Sequence, residues 1–564
     1  MGGSKNWQEI AAAKREAILA SIPKEYIIAD LPTPEQQRDI TGTFVHQWLS
    51  PREIEITETD APGIVAKTTA GAWSAVEVTK AFIHRASIAH QLTNCLHETA
   101  FPAALEAAAA LDQRFAQTAD KRRGLGPLHG LPVSLKDQFH VRGLDTSMGY
   151  IGWLGTYQGQ RDSKNYPITA STESLLVRHL RSLGAVIYVK TAVPHTLMCG
   201  ETINNIVGYV ASPANRLHLS AGGSSGGEGA LIALKGSPCG FGTDIGGSVR
   251  IPAAFNGLYG LRPAAGRLPY EGVANSLDGQ NSVLSVVGPL AGSVGGLRLL
   301  TEAALGAEPW REDPMVVEMA WRADRAAGVA EKAEEKRLTF GVLRDDGVAR
   351  VTPPVARALS LAVDKLRAAG HAVVEWEPPS HADIVECCAA TWTYDGGRDT
   401  IAAFALSGEP QATEYVQMPW PDPISPEATA TDIAANNVRR RRLQKAYLDY
   451  WNSTAGGAGV DAIIAPVAPF PAARPKLYTY YGYTMWVNLL DYTSVVVPVT
   501  RASKDADPRA VDFEPRSELD AKTQASYDPD IYDGAPVAVQ LVGRRLEEEK
   551  MLQVAEVVDG VLRD

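Results

Sequence analysis

Residues 221–250 read AGGSSGGEGALIALKGSPCGFGTDIGGSVR. Two serine–glycine clusters stand 24 residues apart, from Ser224 to Ser248, with the apolar run ALIAL between them. Serines so crowded by glycine do little for packing. The segment is built for its backbone: without a Cβ the chain turns tightly and lets other groups approach its N–H donors. The first cluster matches G-x-S-x-G twice, as Gly222-x-Ser224-x-Gly226 and Gly223-x-Ser225-x-Gly227. That pattern marks a nucleophile elbow, which follows a strand and needs an Asp and then a His downstream. The preceding PANRLHLSAGG (213–223) is no strand, and the downstream histidines are His371, at the start of a strand, and His381. The elbow reading is therefore set aside. The second cluster, GTDIGGSVR (242–250), places Ser248 directly after Ile245, Gly246 and Gly247. N–H groups beside glycines can converge, and donors aimed at developing negative charge make an oxyanion hole. Alone, a glycine-rich turn that happens to hold a serine explains the cluster as well.

A third stretch shifts the balance. In LHGLPVSLKDQFH (128–140), Lys136 ends an apolar run. A lysine there ordinarily snorkels to the surface. Buried, it sheds its charge and becomes a base. Lowering its pKa from about 10.4 to near 7 costs about 4–5 kcal/mol. A base is what a serine hydroxyl needs to act as a nucleophile.

Working outward, apolar strands alternate with helices. Residues 6–20 and 74–115 have helical patterns, and PREIEITETD (51–60) reads as a linker. STESLLVRHLRSLGA (171–185) is a helix feeding the strand VIYVK (186–190). TPPVARALSLAVDKLRAAG (352–370) likewise precedes the strand HAVVEWE. DAIIAPVA (461–468) and PVAVQLVG (536–543) are further strands, and LEEEKMLQVAEVVDGVL (546–562) is a closing helix. The polar stretch 503–532 reads as a long surface loop. This rhythm predicts an α/β fold with a large central sheet covered by helices on both faces. With 564 residues, 45% of them hydrophobic, the chain can bury a large core.

A net charge of −11 argues against binding nucleic acid or an anionic membrane through bulk charge. No run of 18 apolar residues is present, and the N-terminus lacks the apolar segment of a secretory signal. Five cysteines at 95, 199, 239, 387 and 388 are odd in number and have no metal-knuckle spacing; the adjacent pair reads as buried thiols. A reducing, cytoplasmic setting is expected, with no metal and no cofactor.

GLPVSLKD (130–137), GGSSGGEGALIALKGS (222–237) and GFGTDIGGSVRIPAAFNGLYGLRP (240–263) together resemble the amidase signature family, serine hydrolases with a Ser–Ser–Lys triad. The resemblance is close over about 120–265. It extends to HRASIAHQLTNCLHE, NNIVGYVASPANR, DPMVVEMAWR and YDGAPVAVQLVGRRLEEEK, segments like those of fungal acetamidase-like amidases. Fatty acid amide hydrolases share the glycine-rich segments, but this chain lacks their N-terminal membrane-spanning helix. One departure is Ser212-Pro213, where many relatives have Asn-Pro.

The resemblance implies a nucleophile at Ser248, a bridging serine at Ser224 on a cis peptide bond, and a base at Lys136. The N–H groups of Ile245, Gly246, Gly247 and Ser248 would form the oxyanion hole, and ALIAL the helix that fixes the spacing. LMCG (197–200) would face the acyl group, giving Leu197, Met198, Cys199 and Ser224 as substrate contacts; His195 reads as structural. The implied architecture is an N-terminal helical extension (1–70) and a single amidase signature domain (71–564). The expected partner is a small-molecule amide, neutral and apolar or aromatic, with no nucleic acid and no membrane span; a homodimer is compatible. Aromatics in 149–159, 391–397 and 477–492 are candidates for the pocket. Alternatives of the same chemistry are an esterase, an amide-forming acyltransferase, or the amidase subunit of a tRNA-dependent amidotransferase. A non-catalytic scaffold fits poorly with an intact Lys136, Ser224 and Ser248.

Overall fold

Short apolar runs bounded by glycine, proline or charge form the sheet. The computed structural model describes residues 6–160, 172–411, 425–510 and 512–563. Its strands are β1 (Leu96–Thr99), β2 (Pro132–Lys136), β3 (Val186–Thr191), β4 (Ile203–Asn204), β5 (Gly208–Tyr209), β6 (Cys239–Asp244) and β7 (Tyr259–Arg262). They continue as β8 (Val286–Ala291), β9 (Thr339–Val342), β10 (Ala372–Glu375), β11 (Ala462–Pro466), β12 (Ser494–Arg501) and β13 (Pro536–Val542). Eleven of them make one sheet in the order β1-β3-β2-β6-β8-β7-β12-β13-β11-β9-β10, and β4 pairs with β5 alone. β2 runs parallel to β3 and β6, and β9 runs parallel to β10 and β11; the other neighbours are antiparallel. The sheet is thus mixed and large; the alternation of strand and helix predicts its size and helical cover, and the mixed pairing is what the resemblance to the amidase signature family implies. β2, β3 and β6 are buried along their whole length; β2 and β3 fall on the apolar stretches expected as strands, whereas β6, CGFGTD, lies inside the glycine-rich segment.

Helices supply the cover. The helix Ala75–Thr93 packs Val78, Phe82 and Ala86 into a core shared with Leu297, Leu300, Met551 and Leu552. A second core joins Ile251, Phe255, Phe470, Tyr478 and Val537. The closing helix spans Glu548–Arg563, and the helix before β10 spans Pro353–Ala368.

Three local readings change. The stretch 51–60 is no linker: Ser50 and Glu53 form a reciprocal capping box, and Pro51–Glu58 is a helix that buries Ile56. Within 74–115 the helix stops at Asn94, whose left-handed φ of 58° ends it, and β1 intervenes before the helix Phe101–Gln117. The stretch 503–532 carries the helices Glu518–Ser526 and Pro529–Tyr532 and buries Tyr527 and Tyr532. Residue 171 and the segment 161–170 before it lie outside the described residues, and the helix expected there runs Leu175–Ser182.

Candidate active site

A strand presents alternate residues to one face, so Ser134 and Lys136 of β2 point the same way. The helix Gly226–Ala233 packs on that face, against β2, β3 and β6. Its second residue lies close to backbone: a Cβ on Gly227 would come within 2.4 Å of the Ala192 nitrogen. Glu228 on this helix accepts from Ser134 Oγ at 2.6 Å and from Thr191 Oγ1 at 2.9 Å. Burial pushes the Glu228 carboxyl up to about 7.

Just before this helix, the Gly223–Ser224 peptide is cis. Lys136 Nζ lies 2.8 Å from Ser224 Oγ and 2.6 Å from Thr243 Oγ1 on β6. Thr243 Oγ1 in turn donates to Gln138 Oε1 at 2.6 Å. The Ser225 N–H donates to the Ser248 carbonyl at 3.1 Å, which ties the two serine clusters together. Exposure rises from 0% at Lys136 through 1% at Ser224 to 9% at Ser248, so the row runs from the interior to a cavity. Burial drives the Lys136 ammonium down to about 7, against the opposing pull of Asp244, Glu228 and Asp137.

The loop after β6 is organised by Asp244. Its carboxylate accepts the Gly247 N–H at 2.8 Å and the Val249 N–H at 3.2 Å. The Arg250 guanidinium grips both its oxygens, each at 3.0 Å, and Asn488 Nδ2 adds a bond at 2.8 Å. Burial works against the Asp244 charge, but Arg250 beside it holds the carboxyl below the usual range. Arg250 also donates to the Thr484 carbonyl and to Gln540 and Asn488, so none of its fork turns to the cavity. Gly247 has φ +125°, and a Cβ there would meet Thr484 Oγ1 at 2.6 Å. This geometry corrects one expectation: the Gly247 N–H, counted among four oxyanion donors, is already spent on Asp244. Among the described residues, no partner takes the N–H groups of Ile245, Gly246 or Ser248.

Two adjoining pockets meet at Ser248. One, of about 530 Å³, has a polar lining that includes Ser224, Thr243, Gln138, Asn275, Gln280 and Asp395. The other, of about 410 Å³, is apolar: Leu197, Met198, Cys199, Ile251, Tyr481 and Met485, with Gly246 beside them. Leu197, Met198, Ile245 and Trp392 line both. All the expected site residues except Lys136 and Gly247 therefore face this space, and Lys136 reaches it through Ser224. The aromatics of 149–159 do not: Tyr150 and Trp153 pack with Phe404 elsewhere. His195 is buried edge-on to Phe404 and joins no catalytic row. Gln138, Thr243, Asp244 and Glu228 lie within the quoted motifs but went unread. The alternation Gly242–Thr243–Asp244 on a buried strand was the available signal, since polar side chains there need partners.

Comparison with known proteins places the chain in a family. The profile of the Amidase family matches residues 77–552. Acetamidase of Emericella nidulans is 44% identical over 99% of this chain and 98% of its own length. Amidase 1 of Gibberella moniliformis is 40% identical over 87% of this chain and 90% of its own length. Among solved structures, fatty acid amide hydrolase superposes with a TM-score of 0.89 at 32% identity, covering 99% of this chain and 95% of that one. The fold and site thus define a hydrolase of linear carbon–nitrogen bonds. The chain belongs to the amidase signature family.

Proposed function

We propose that this chain hydrolyses a neutral carboxamide to a carboxylate and ammonia or an amine through an acyl-enzyme on Ser248. The observation that carries it is the buried contact from Lys136 Nζ to Ser224 Oγ, 2.8 Å, at the edge of the cavity that Ser248 faces. In this reading the Ser248 Oγ–carbon bond forms as its proton passes to Ser224, whose own proton passes to neutral Lys136. The carbonyl oxygen takes up the electron pair and is met by the N–H groups of Ile245, Gly246 and Ser248. As the pair returns, the carbon–nitrogen bond breaks, and Lys136 returns the proton through Ser224 to the leaving nitrogen. Water then repeats the sequence on the ester.

The leaving nitrogen must lie beside Ser224, which lines the polar pocket, so the acyl group takes the apolar one. An apolar or aromatic acyl group suits Leu197, Met198, Tyr481 and Met485. Among the described residues, neither pocket is lined by a lysine or arginine, and Asp395 lines the polar one. Among the described residues, an anionic substrate would find no charge-assisted partner. The five cysteines are buried and no disulfide joins them, which supports a reducing compartment.

Ser248→Ala should abolish hydrolysis and covalent labelling by a fluorophosphonate while the thermal transition is kept. Labelling that persists on another serine refutes the assignment. A neutral acyl amide should exceed its carboxylated analogue in kcat/KM by more than tenfold, about 1.4 kcal/mol. The reverse preference would overturn the pocket reading.

A further inference from the structure

We infer that Gln138 is a positioning residue that sets the direction of the hydrogen bonds at Lys136. The inference rests on the proposed role of Lys136 as base. It begins at a group whose polarity is not in question, the Ala274 carbonyl, which only accepts. Gln138 faces it with its side-chain amide, and the two residues are also joined by the Ala274 N–H to the Gln138 carbonyl at 3.1 Å. Nε2 must therefore face Ala274, with the Tyr270 hydroxyl as its second acceptor at 2.9 Å. Oε1 is left facing Thr243 and can only accept, so Thr243 Oγ1 gives its single proton to Gln138. A hydroxyl whose proton is committed has only lone pairs left to offer. At 2.6 Å, Lys136 Nζ must then donate to Thr243. With an N–H fixed on that side, the lone pair of the neutral amine is turned to its other close partner, the Ser224 hydroxyl.

Without Gln138, the Thr243 hydroxyl is free to rotate. It can donate to the amine and occupy the same lone pair that Ser224 needs. Gln138 and Thr243 border the polar pocket yet are only 1% and 2% exposed, so their mutual hydrogen bond is the contact that holds the orientation. The chain of direction runs from a backbone carbonyl on the 270–275 segment, through a carboxamide after β2 and a hydroxyl on β6, to the amine.

The test is the pH dependence of kcat/KM and of fluorophosphonate labelling in Gln138→Met, Thr243→Val, their double variant and Thr243→Ser, with Lys136→Ala alongside. Gln138→Met and Thr243→Val should each lower the alkaline plateau at least tenfold. The double variant should be no slower than Thr243→Val, since Gln138 acts through that hydroxyl. Thr243→Ser, which keeps the hydroxyl, should stay within threefold of the parent. Gln138→Glu should move the acid limb to higher pH by placing a negative charge near the amine, which a merely structural role would not do. Should Gln138→Met fail to fold, Gln138→Asn withdraws the carbonyl from Thr243 and serves in its place. A plateau within twofold of the parent, or losses that multiply in the double variant, overturns the inference. If Lys136→Ala itself labels at the parent rate, the reading of Lys136 as base falls as well. If Lys136→Ala is silent and Gln138→Met is normal, only the role of Gln138 falls.

Discussion

As the proposed base, Lys136 must be held where a lysine is least at ease. Its folded pKa of about 7 lies below the roughly 10.4 of an unfolded lysine. Between those values the unfolded chain binds more protons, so stability contributed by this group rises with pH from 7 towards 10. At pH 7 and below the penalty is felt in full, at most about 4–5 kcal/mol. Lys136→Met removes the penalty and leaves Ser224 and Thr243 one partner short, at about 1 kcal/mol each. The variant should therefore be inactive yet melt at a higher temperature than the parent at pH 6, by about 2–3 kcal/mol in stability. The advantage should fade by pH 10. Thermal scans across pH check it, and a Tm below the parent at pH 6 contradicts it. For the same reason, kcat/KM should climb through an apparent pKa near 7 and level off above it.

At the scale of elements, the site depends on how closely the Gly226–Ala233 helix lies on the sheet. Gly227 donates its N–H to the Ala192 carbonyl at 3.0 Å, and a methyl group there would collide with the Ala192 main chain. Gly227→Ala should destabilise the protein by about 1–3 kcal/mol and lower kcat, because Ser224 moves with the helix. A drop in Tm accompanied by lower kcat supports this, and an unchanged kcat refutes it. These elements were largely legible in the sequence. Apolar runs mark β2 and β3, and ALIAL marks the helix between the serine clusters; β6, CGFGTD, did not read as a strand because glycine, threonine and aspartate fill it. Pairing order was not legible: β2 and β6 are more than a hundred residues apart, and only packing makes them neighbours. The helix Pro51–Glu58 hid because its charged residues mask a capping box. The committed N–H of Gly247 hid because a run of glycines gives no sign of which donors the fold itself consumes.

At the scale of the whole molecule, distant segments lock together through buried arginines. Arg216 donates to the carbonyls of Thr33 and Gln37, at 2.8 Å each, and to Pro32, fixing the N-terminal segment to the body. Contacts also cross residue 70: Thr68 Oγ1 donates to the His129 carbonyl at 2.6 Å, and Arg85 binds Glu58 and Thr57. Arg267 ties the segment after β7 to the closing helix, bonding Glu548 at 3.1 Å and Glu549 more closely still, with all three side chains buried. Removing one member of a buried ionic cluster leaves the others uncompensated. Arg267→Met should cost about 3–5 kcal/mol, read as a lower Tm, whereas kcat of the surviving folded enzyme should hold. A Tm within a degree of the parent would contradict this. Such long-range clusters escaped the sequence because nothing local distinguishes a buried arginine from a solvated one.

The Asp244 hub has a consequence for truncated genes. The groups that shape its loop arrive from far downstream: Asn488 and Thr484 from the helix Gly482–Leu490, and Gln540 from β13. A reading frame that ends before residue 480 would still carry Lys136 and both serine–glycine clusters. It would look intact in a genome, yet its Arg250 would be left with only Asp244, and Ser248, the proposed nucleophile, would sit on an unmoulded loop. Counting such fragments as working copies would overstate how much of this activity a cell possesses.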